Sequence, residues 1–256
     1  MTIFLKDFFK SLACIAVPLL ILVACEESGS DPNAGAGTID PSARGEAQSL
    51  SGTNDVKKIV SRGRIEAWLV EEHSIPLVAV NFGFQGGAWL DPAGQEGLAN
   101  MLAAQLDEGA GDYDSQAFQS ALDENSISLS YAAGRDALTG SLFTLSKTKD
   151  LAFELLRLSL TGPRFDDEPV ERIRAQIAVM QKRAASSPNQ IAANLLAGEI
   201  FGEQRYARRV MGTEESLPEL SVRGLQAFRE DGLTKDRLKI SVVGDVTPEE
   251  LGTILD

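Results

Sequence analysis

Apolar and polar residues alternate over several short segments of the chain, which is the pattern of strands with one buried face. In the clearest case, every second residue from Val78 to Phe84 is apolar. The strands predicted in this way cover residues 65–70, 77–84, 127–131, 137–144 and 238–243. The first two are predicted to form a hairpin, and Gly86-Gly87 after it indicates a bulge or a close approach of the backbone.

Longer segments repeat apolar residues every three or four positions and predict helices. Some ends carry local signals: Pro188 opens one helix, and Thr247 with Glu250 forms a capping box at the last. The predicted helices cover residues 97–108, 115–124, 147–160, 167–185, 188–201, 221–230 and those from 248 onwards. No charged residue interrupts the apolar faces of the helices at 147–160 and 188–201, which predicts that these faces are packed.

The order of these elements is two strands, two helices, two strands, several helices and a further strand. It predicts an α+β domain with a mostly antiparallel sheet packed with helices. Hydrophobic residues make up 43% of the 256 residues, which is enough for a core of that size. The formal net charge of -13 argues against nucleic acid as a partner, because such binding needs a basic surface.

The N-terminal segment has the features of a signal peptide. Two lysines precede an apolar run over residues 12–24, which is short for a membrane span and ends in Leu22-Val23-Ala24-Cys25. This ending resembles a bacterial lipobox, in which cleavage before the cysteine leaves that cysteine diacylated. The resemblance implies a signal peptide over 1–24 and a lipid anchor on Cys25 at the periplasmic side of a bacterial membrane. A plain secretory signal or an uncleaved anchor is the alternative.

The composition then divides the rest of the chain into a tether and a domain. Residues 25–55 are rich in Ser, Gly, Ala, Asp and Pro and predict a flexible tether, and residues 56–256 form the predicted folded domain. Cleavage would remove Cys14 and leave Cys25 as the only cysteine, so no intramolecular disulfide is expected.

The helix predicted at 97–108 has the outline of a metal-binding helix without its ligands. A His-x-x-Glu-His helix carries two imidazoles at i and i+4 and a carboxylate at i+3, which together hold a zinc ion and its water. Here these three positions are Asn100, Ala103 and Ala104. The segment resembles the inverted-zincin helix of the pitrilysin/insulinase family of zinc metallopeptidases, in a degenerate non-catalytic form. An ordinary amphipathic helix closed by Gly109 is the alternative.

Further strings are similar to the same family and extend the resemblance over roughly residues 60–256. They are residues 73–78, 86–91, 94–99, 170–174 and 242–246. The resemblance implies one domain of the mitochondrial-processing-peptidase-like metallohydrolase fold, matching the N-terminal half of the family's chain. We expect the family's second half to be absent after Asp256, as in a fragment or a truncated gene product.

The resemblance also locates the family's third zinc ligand. In active relatives a glutamate lies about two turns into the later helix, with another glutamate seven residues before it, and these positions correspond to Met180 and Ile173. A shift of register would reach only two nearby glutamines, because no aspartate or glutamate lies between Arg172 and Arg183. Zinc needs three or four good ligands. The resemblance therefore implies no catalytic residue, no bound zinc or other cofactor, and no peptidase activity of this chain alone.

The resemblance finally implies a role within a complex. The family builds a closed chamber from two similar halves, and in its split forms one subunit keeps the zinc site while the other contributes chamber wall. We therefore predict a heterodimer with a zinc-bearing family homologue that degrades extended peptides, attached to the membrane through the lipid anchor. The alternative is a scaffolding or structural protein, or a truncated gene product, without a peptidase role.

Two other kinds of site find little support in the residues. His73 is the only histidine, and a serine triad would need it beside a remote serine, but no Gly-x-Ser-x-Gly elbow is present. Residues 107–114 resemble a calcium loop in composition, but Phe118 occupies the position of that loop's bidentate glutamate. A solvated histidine and a turn followed by a helix cap are the simpler interpretations.

Overall fold

The computed structural model describes residues 55–256. The predicted signal peptide, Cys25 and nearly all of the predicted tether lie outside these residues. The elements of the described part are β1 (Lys57–Val60), β2 (Glu66–Glu71), β3 (Leu77–Gln85), α1 (Leu98–Ala103), α2 (Ser115–Glu124), β4 (Ser128–Ala133), β5 (Ala137–Leu145), α3 (Lys149–Thr161), α4 (Asp167–Ala185), α5 (Pro188–Phe201), α6 (Val222–Gly232), β6 (Leu238–Gly244) and α7 (Pro248–Ile254).

The strands form one six-stranded sheet in the order β1-β2-β6-β3-β5-β4. Every neighbouring pair is antiparallel except β2 and β6, which are parallel. The predicted α+β class with a mostly antiparallel sheet is therefore confirmed. The predicted hairpin of the first two strands is wrong, because β6 lies between β2 and β3 and pairs with both. The alternation along the chain sets which face of a strand is buried, but it does not specify the neighbouring strand.

One face of the sheet carries most of the core. Along β3 the apolar residues from Val78 to Phe84 are buried at every second position, as predicted. They pack with the buried side chains of α1 and α3, of which Leu102 and Leu155 are fully buried. On the opposite face Phe143 remains about half exposed. The helices thus cover one side of the sheet and position α1 against it.

Local capping signals agree well with the structure. Asp114 accepts a hydrogen bond from the backbone N–H of Ala117 at the start of α2, and Thr247 forms the predicted capping box with Glu250 at the start of α7. Gly87, at φ +45°, confirms the predicted close approach, since a Cβ there would lie 2.4 Å from the carbonyl oxygen of Gly134.

Two predicted helices differ from the structure. The helix predicted over 97–108 ends at Ala103, because residues 104–108 turn more tightly through backbone bonds such as Gln105 N to Leu102 O at 2.9 Å. Helix α5 has its predicted bounds, but only Ala197 is buried, and side chains such as Leu195 and Leu196 are exposed. The prediction that α5 has a packed apolar face is therefore wrong within the described residues. Within residues 55–256 no helix is long and apolar enough to cross a membrane.

Candidate functional site

Helix α1 is held in place at its N-terminus by Asp91. This carboxylate accepts hydrogen bonds from the backbone N–H groups of Gly97 at 2.8 Å and Ala99 at 2.9 Å. These are donors that have no partner inside the helix. Burial raises the pKa of Asp91 to about 6, although the backbone hydrogen bonds favour the charged form. Asp91 lies several residues before the helix, so no local spacing rule would identify it as the cap.

The turn of α1 that corresponds to the metal-binding turn is intact. The backbone N–H of Ala104 donates to the carbonyl oxygen of Asn100 at 3.1 Å, which is the spacing that would set two ligands on one face. Asn100 and Ala104 are half-buried, while Ala103 is buried in the core. The backbone geometry of the turn is therefore present, with one amide and two methyl groups at the three chemical positions.

Helix α4 lies against α1, as the resemblance implies for the helix that carries the third ligand. The side chain of Gln105, which is buried, donates from Nε2 to the carbonyl oxygen of Pro169 at 3.2 Å and joins the two helices. Met180 is 44% exposed, whereas Ile173 is buried in the core. A thioether thus stands at the position predicted for the ligand, and an aliphatic side chain stands at the position predicted for the second glutamate.

The donor set of this region does not fit zinc. Within residues 55–256 no three His, Cys, Asp or Glu side chains are grouped closely enough to hold a metal ion. Asn100 offers a neutral amide, and Met180 offers a soft, uncharged sulfur, whereas protein zinc sites use imidazole, thiolate and carboxylate. A zinc ion at these positions would lack both charge compensation and a full set of ligands.

The carboxylates just after α1 have structural partners. Glu108 forms an ion pair with Arg172 at 2.7 Å and accepts a hydrogen bond from Ser115 at 2.6 Å. Burial alone would raise the pKa of Glu108, but these two partners outweigh it and lower the pKa. Burial raises the pKa of the neighbouring Asp107 to about 6. With Asp114 capping α2, these carboxylates fit the interpretation of a turn and a helix cap rather than a calcium loop.

The histidine lies in an exposed cluster of charges between β2 and β6. His73 Nδ1 is 2.8 Å from Asp245 Oδ1, and its Nε2 is 3.4 Å from Glu71 Oε2. The hydrogen bond to Asp245 and then that to Glu71 raise the pKa of His73. Both ring nitrogens therefore face carboxylates, and neither is aimed at a serine, as a triad would require.

A cleft of about 910 Å³ adjoins the start of α1. It lies between the end of α4, the first half of α5 and the loop 207–215. This loop contacts the N-terminus of α1, since a Cβ at Gly97 would lie 3.0 Å from the backbone of Met211. It also contacts α4, where Gln181 Nε2 donates to the Met211 carbonyl oxygen at 2.8 Å. Ile191 and Leu195 supply exposed apolar wall. None of Asn100, Ala103, Ala104 and Met180, the positions that the resemblance predicts to be vacated, lines this cleft.

Comparisons with known proteins identify the same fold. No protein-family model matches the chain. The non-peptidase homolog YmxG of Helicobacter pylori is 24% identical over 187 residues, which are 73% of this chain and 43% of that protein. Among solved structures, the peptidase M16 inactive domain from Pseudomonas fluorescens matches with a TM-score of 0.75 and 22% identity, covering 78% of this chain and 49% of that one.

Pitrilysin itself matches with a TM-score of 0.70 and 18% identity, covering 80% of this chain and 22% of its own. The chain thus spans less than half the length of each of these relatives. The sheet order, the docked helix α1 and these matches agree on one architecture. The chain has the fold of one domain of the pitrilysin-type peptidases, and the resemblance to that family predicted from the sequence is confirmed.

Proposed function

We propose that this chain is a non-catalytic member of the pitrilysin-type peptidases. The observation that carries the proposal is the contrast between the well-packed backbone of α1 and the side chains at its three motif positions. The helix is capped by Asp91, buried through Leu98, Met101 and Leu102, and packed on α4, yet its chemical positions hold no zinc ligand. Two of the similar proteins, a non-peptidase homolog and a peptidase M16 inactive domain, support the same proposal.

A metal analysis tests this proposal. We expect purified chain, dialysed against zinc and then against buffer, to carry well below one equivalent of zinc, because Asn100 and Met180 are weak neutral donors. The variant Asn100→His/Ala103→Glu/Ala104→His should still bind poorly, since α4 supplies no carboxylate. Adding Met180→Glu to these three substitutions should raise zinc affinity clearly above that of the triple variant. One tightly held equivalent in the wild type would overturn the proposal.

We further propose that the chain acts as the wall of a peptide chamber formed with a zinc-bearing homologue. Two features support this: the exposed apolar side chains of α5, such as Leu196, and the open cleft beside α1. Large exposed apolar surfaces mark interaction sites in soluble domains. A stable interface between two such domains would bury more than about 1,000 Å² in total.

Co-expression with a zinc-bearing homologue from the same genome tests the pairing. We expect the two chains to co-elute, and the homologue to cleave extended peptides faster with this chain than without it. The substitution Leu196→Asp on α5 should weaken co-elution, while Asp123→Asn on the exposed side of α2 should not. Equal cleavage without this chain, together with separate elution, would favour a scaffolding role.

We also propose that Cys25 is lipidated at the periplasmic side of a bacterial membrane. The motivation is the Leu22-Val23-Ala24-Cys25 ending after an apolar run. Each buried methylene of an acyl chain contributes about 0.8 kcal/mol, so two or three chains should retain the protein in membranes. Wild-type protein should partition into detergent, and Cys25→Ser should abolish that retention or block processing. Partition of the wild type into the aqueous phase would refute the anchor.

A further inference from the structure

A second concavity, separate from the vacated positions, lies at the C-terminal end of α5. We call it the aromatic pocket, and its volume is about 510 Å³. It is lined by Gly86, Trp89, Asp136, Phe201, Gln204 and Tyr206. Three separate segments meet there: the turn after β3, the tip of the β4–β5 hairpin, and the turn after α5. The first two are joined by backbone bonds, such as Trp89 N to Arg135 O at 2.9 Å.

Three aromatic rings form the apolar part of this pocket. The Tyr206 ring lies between the other two, with its centroid 6.2 Å from that of Trp89 and 5.0 Å from that of Phe201. Trp89 is 43% exposed, although it is a large apolar side chain. Rings at these distances stack at an angle and leave apolar surface open, which favours an aromatic or large apolar group as ligand.

Three guanidinium groups lie beside the residues that line the pocket, and one of them, that of Arg135, lies over a ring. Arg135 lies over Tyr206 with its Cζ 5.8 Å from the ring centroid, and Arg205 Nη1 donates to the carbonyl oxygen of Trp89 at 3.3 Å. A Cβ at Gly86 would lie 3.2 Å from Arg237 Nη1. None of the three arginines forms an ion pair with any residue of the described part of the chain.

The single carboxylate of the lining does not neutralise them. Asp136 accepts a hydrogen bond from the Tyr206 hydroxyl at 2.6 Å and makes no ion pair with the arginines. Each guanidinium has five N–H donors, and each of the three directs one of them to a backbone carbonyl: Arg135 Nε to Tyr206, Arg205 Nη1 to Trp89 and Arg237 Nη1 to Gln85. A rim of unpaired arginines is unusual on a chain with a net charge of -13, and such a rim is complementary to a carboxylate.

We propose that the aromatic pocket binds an aromatic or large apolar side chain that is next to a carboxylate. The rings receive the side chain, and Arg135 and Arg205 bind the carboxylate. In a peptide this chemistry occurs at a C-terminal aromatic residue and at an internal aromatic residue beside Asp or Glu. The inference goes beyond the proposed function, because the binding needs neither zinc nor a partner chain.

Fluorescence of Trp89 tests the proposal directly. The chain has two tryptophans, and Trp68→Phe leaves Trp89 as the only one. Titration of this variant with N-acetyl-phenylalanine should change its emission saturably, while N-acetyl-phenylalanine amide should bind at least about tenfold more weakly, because it lacks the charged acceptor. A hexapeptide with an internal Phe-Asp and both ends capped shows which carboxylate of a peptide the pocket binds. Binding as tight as that of the free acid indicates an internal Asp or Glu side chain, and weaker binding indicates the C-terminal carboxylate.

Substitutions in the rim make the test specific. In the Trp68→Phe background, Arg135→Gln/Arg205→Gln should weaken binding of the free acid about tenfold or more and leave the amide unchanged. Arg157→Gln is the matched control, since Arg157 pairs with Glu154 on α3. Arg135→Lys/Arg205→Lys keeps the charge but not the planar fork, so its loss should be smaller. Unchanged urea midpoints would show that each variant is folded.

Three results would overturn the proposal: no saturable change with any of the probes, equal binding of the acid and the amide, or unchanged binding of the acid after both arginines are replaced in a folded variant. Each of these measurements uses the chain alone. Failure here is therefore distinct from failure of the chamber proposal, which is decided by co-elution and by cleavage with the zinc-bearing homologue.

Discussion

The substitution Asp91→Asn removes the titrating group of the α1 cap and keeps the size of the side chain, so it tests how the cap contributes to the pH dependence of the free energy of unfolding. The carboxylate is 1% exposed, and burial raises its pKa to about 6 from an unfolded value of 3.8. The folded chain therefore binds this proton more tightly than the unfolded chain does. As a result, the free energy of unfolding rises as the pH falls from 7 through 6, and the contribution is complete only below 3.8.

The size of this contribution follows from the two pKa values. Over the whole window it is about 3 kcal/mol, since each pKa unit corresponds to about 1.4 kcal/mol. Between pH 7 and pH 5, single-site linkage gives about 1 kcal/mol for Asp91. Asp107, whose pKa is also raised to about 6, should add a similar amount to the wild type. The asparagine variant keeps the size of the side chain but has one acceptor oxygen instead of two and cannot titrate, so its gain in stability on acidification should lack the Asp91 part.

Urea unfolding at pH 7 and pH 5 measures the difference by linear extrapolation. The gain on acidification should be smaller in Asp91→Asn than in the wild type by about 1 kcal/mol. Taking the difference between the two proteins cancels the remaining titrating groups, and Asp123→Asn on α2 is the control for loss of an exposed carboxylate. The same gain in Asp91→Asn and wild type would refute the account of a buried, proton-accepting cap.

Five further substitutions test the described core, two glycine turns and one ion pair, each by urea unfolding. Leu102→Ala should lower the free energy of unfolding by about 2–5 kcal/mol, because Leu102 is fully buried. Leu196→Ala removes a side chain that is 60% exposed and should lower it by well under 1 kcal/mol. Equal losses in the two variants would contradict the described core. In Gly94→Ala the new Cβ meets no neighbouring atom, so only the backbone strain at φ +81° should lower the free energy of unfolding, by about 1–2 kcal/mol. Gly87→Ala should lower it more, because its Cβ also meets backbone atoms. Arg172→Gln leaves the half-buried carboxylate of Glu108 without its partner and should lower the free energy of unfolding by about 1–3 kcal/mol. An unchanged free energy of unfolding would show that the ion pair is not formed in solution.

Elements with a strong local signal were predicted correctly from the sequence. The capping box at Thr247, Pro188 at the start of α5 and the alternation along β3 each rest on interactions within a few residues. The loss of ligand chemistry at Asn100 stays a prediction, which follows from the resemblance and from the donor atoms of an amide side chain. The position of Met180 came from the resemblance, and the structure shows where it lies without testing its role.

Interactions between distant segments were decided only by the tertiary structure. The insertion of β6 between β2 and β3 joins residues far apart in the chain, and alternation carries no information on which strand pairs with which. The end of α1 at Ala103 is followed by tighter turns in which Gln105 is buried and bonded to Pro169, and no local helix signal predicts this contact. The aromatic pocket likewise needs Trp89, Asp136 and Tyr206 to converge.

The sequence by itself determined the class of fold and most element boundaries, because periodicity and caps are local properties. Only the tertiary structure decided that α5 presents Leu195 and Leu196 to solvent and that Asp91 caps α1. The physical reason is that burial depends on which other surfaces are present. An apolar residue is in the core only when another element covers it, and a carboxylate becomes a cap only where the fold brings free N–H groups to it.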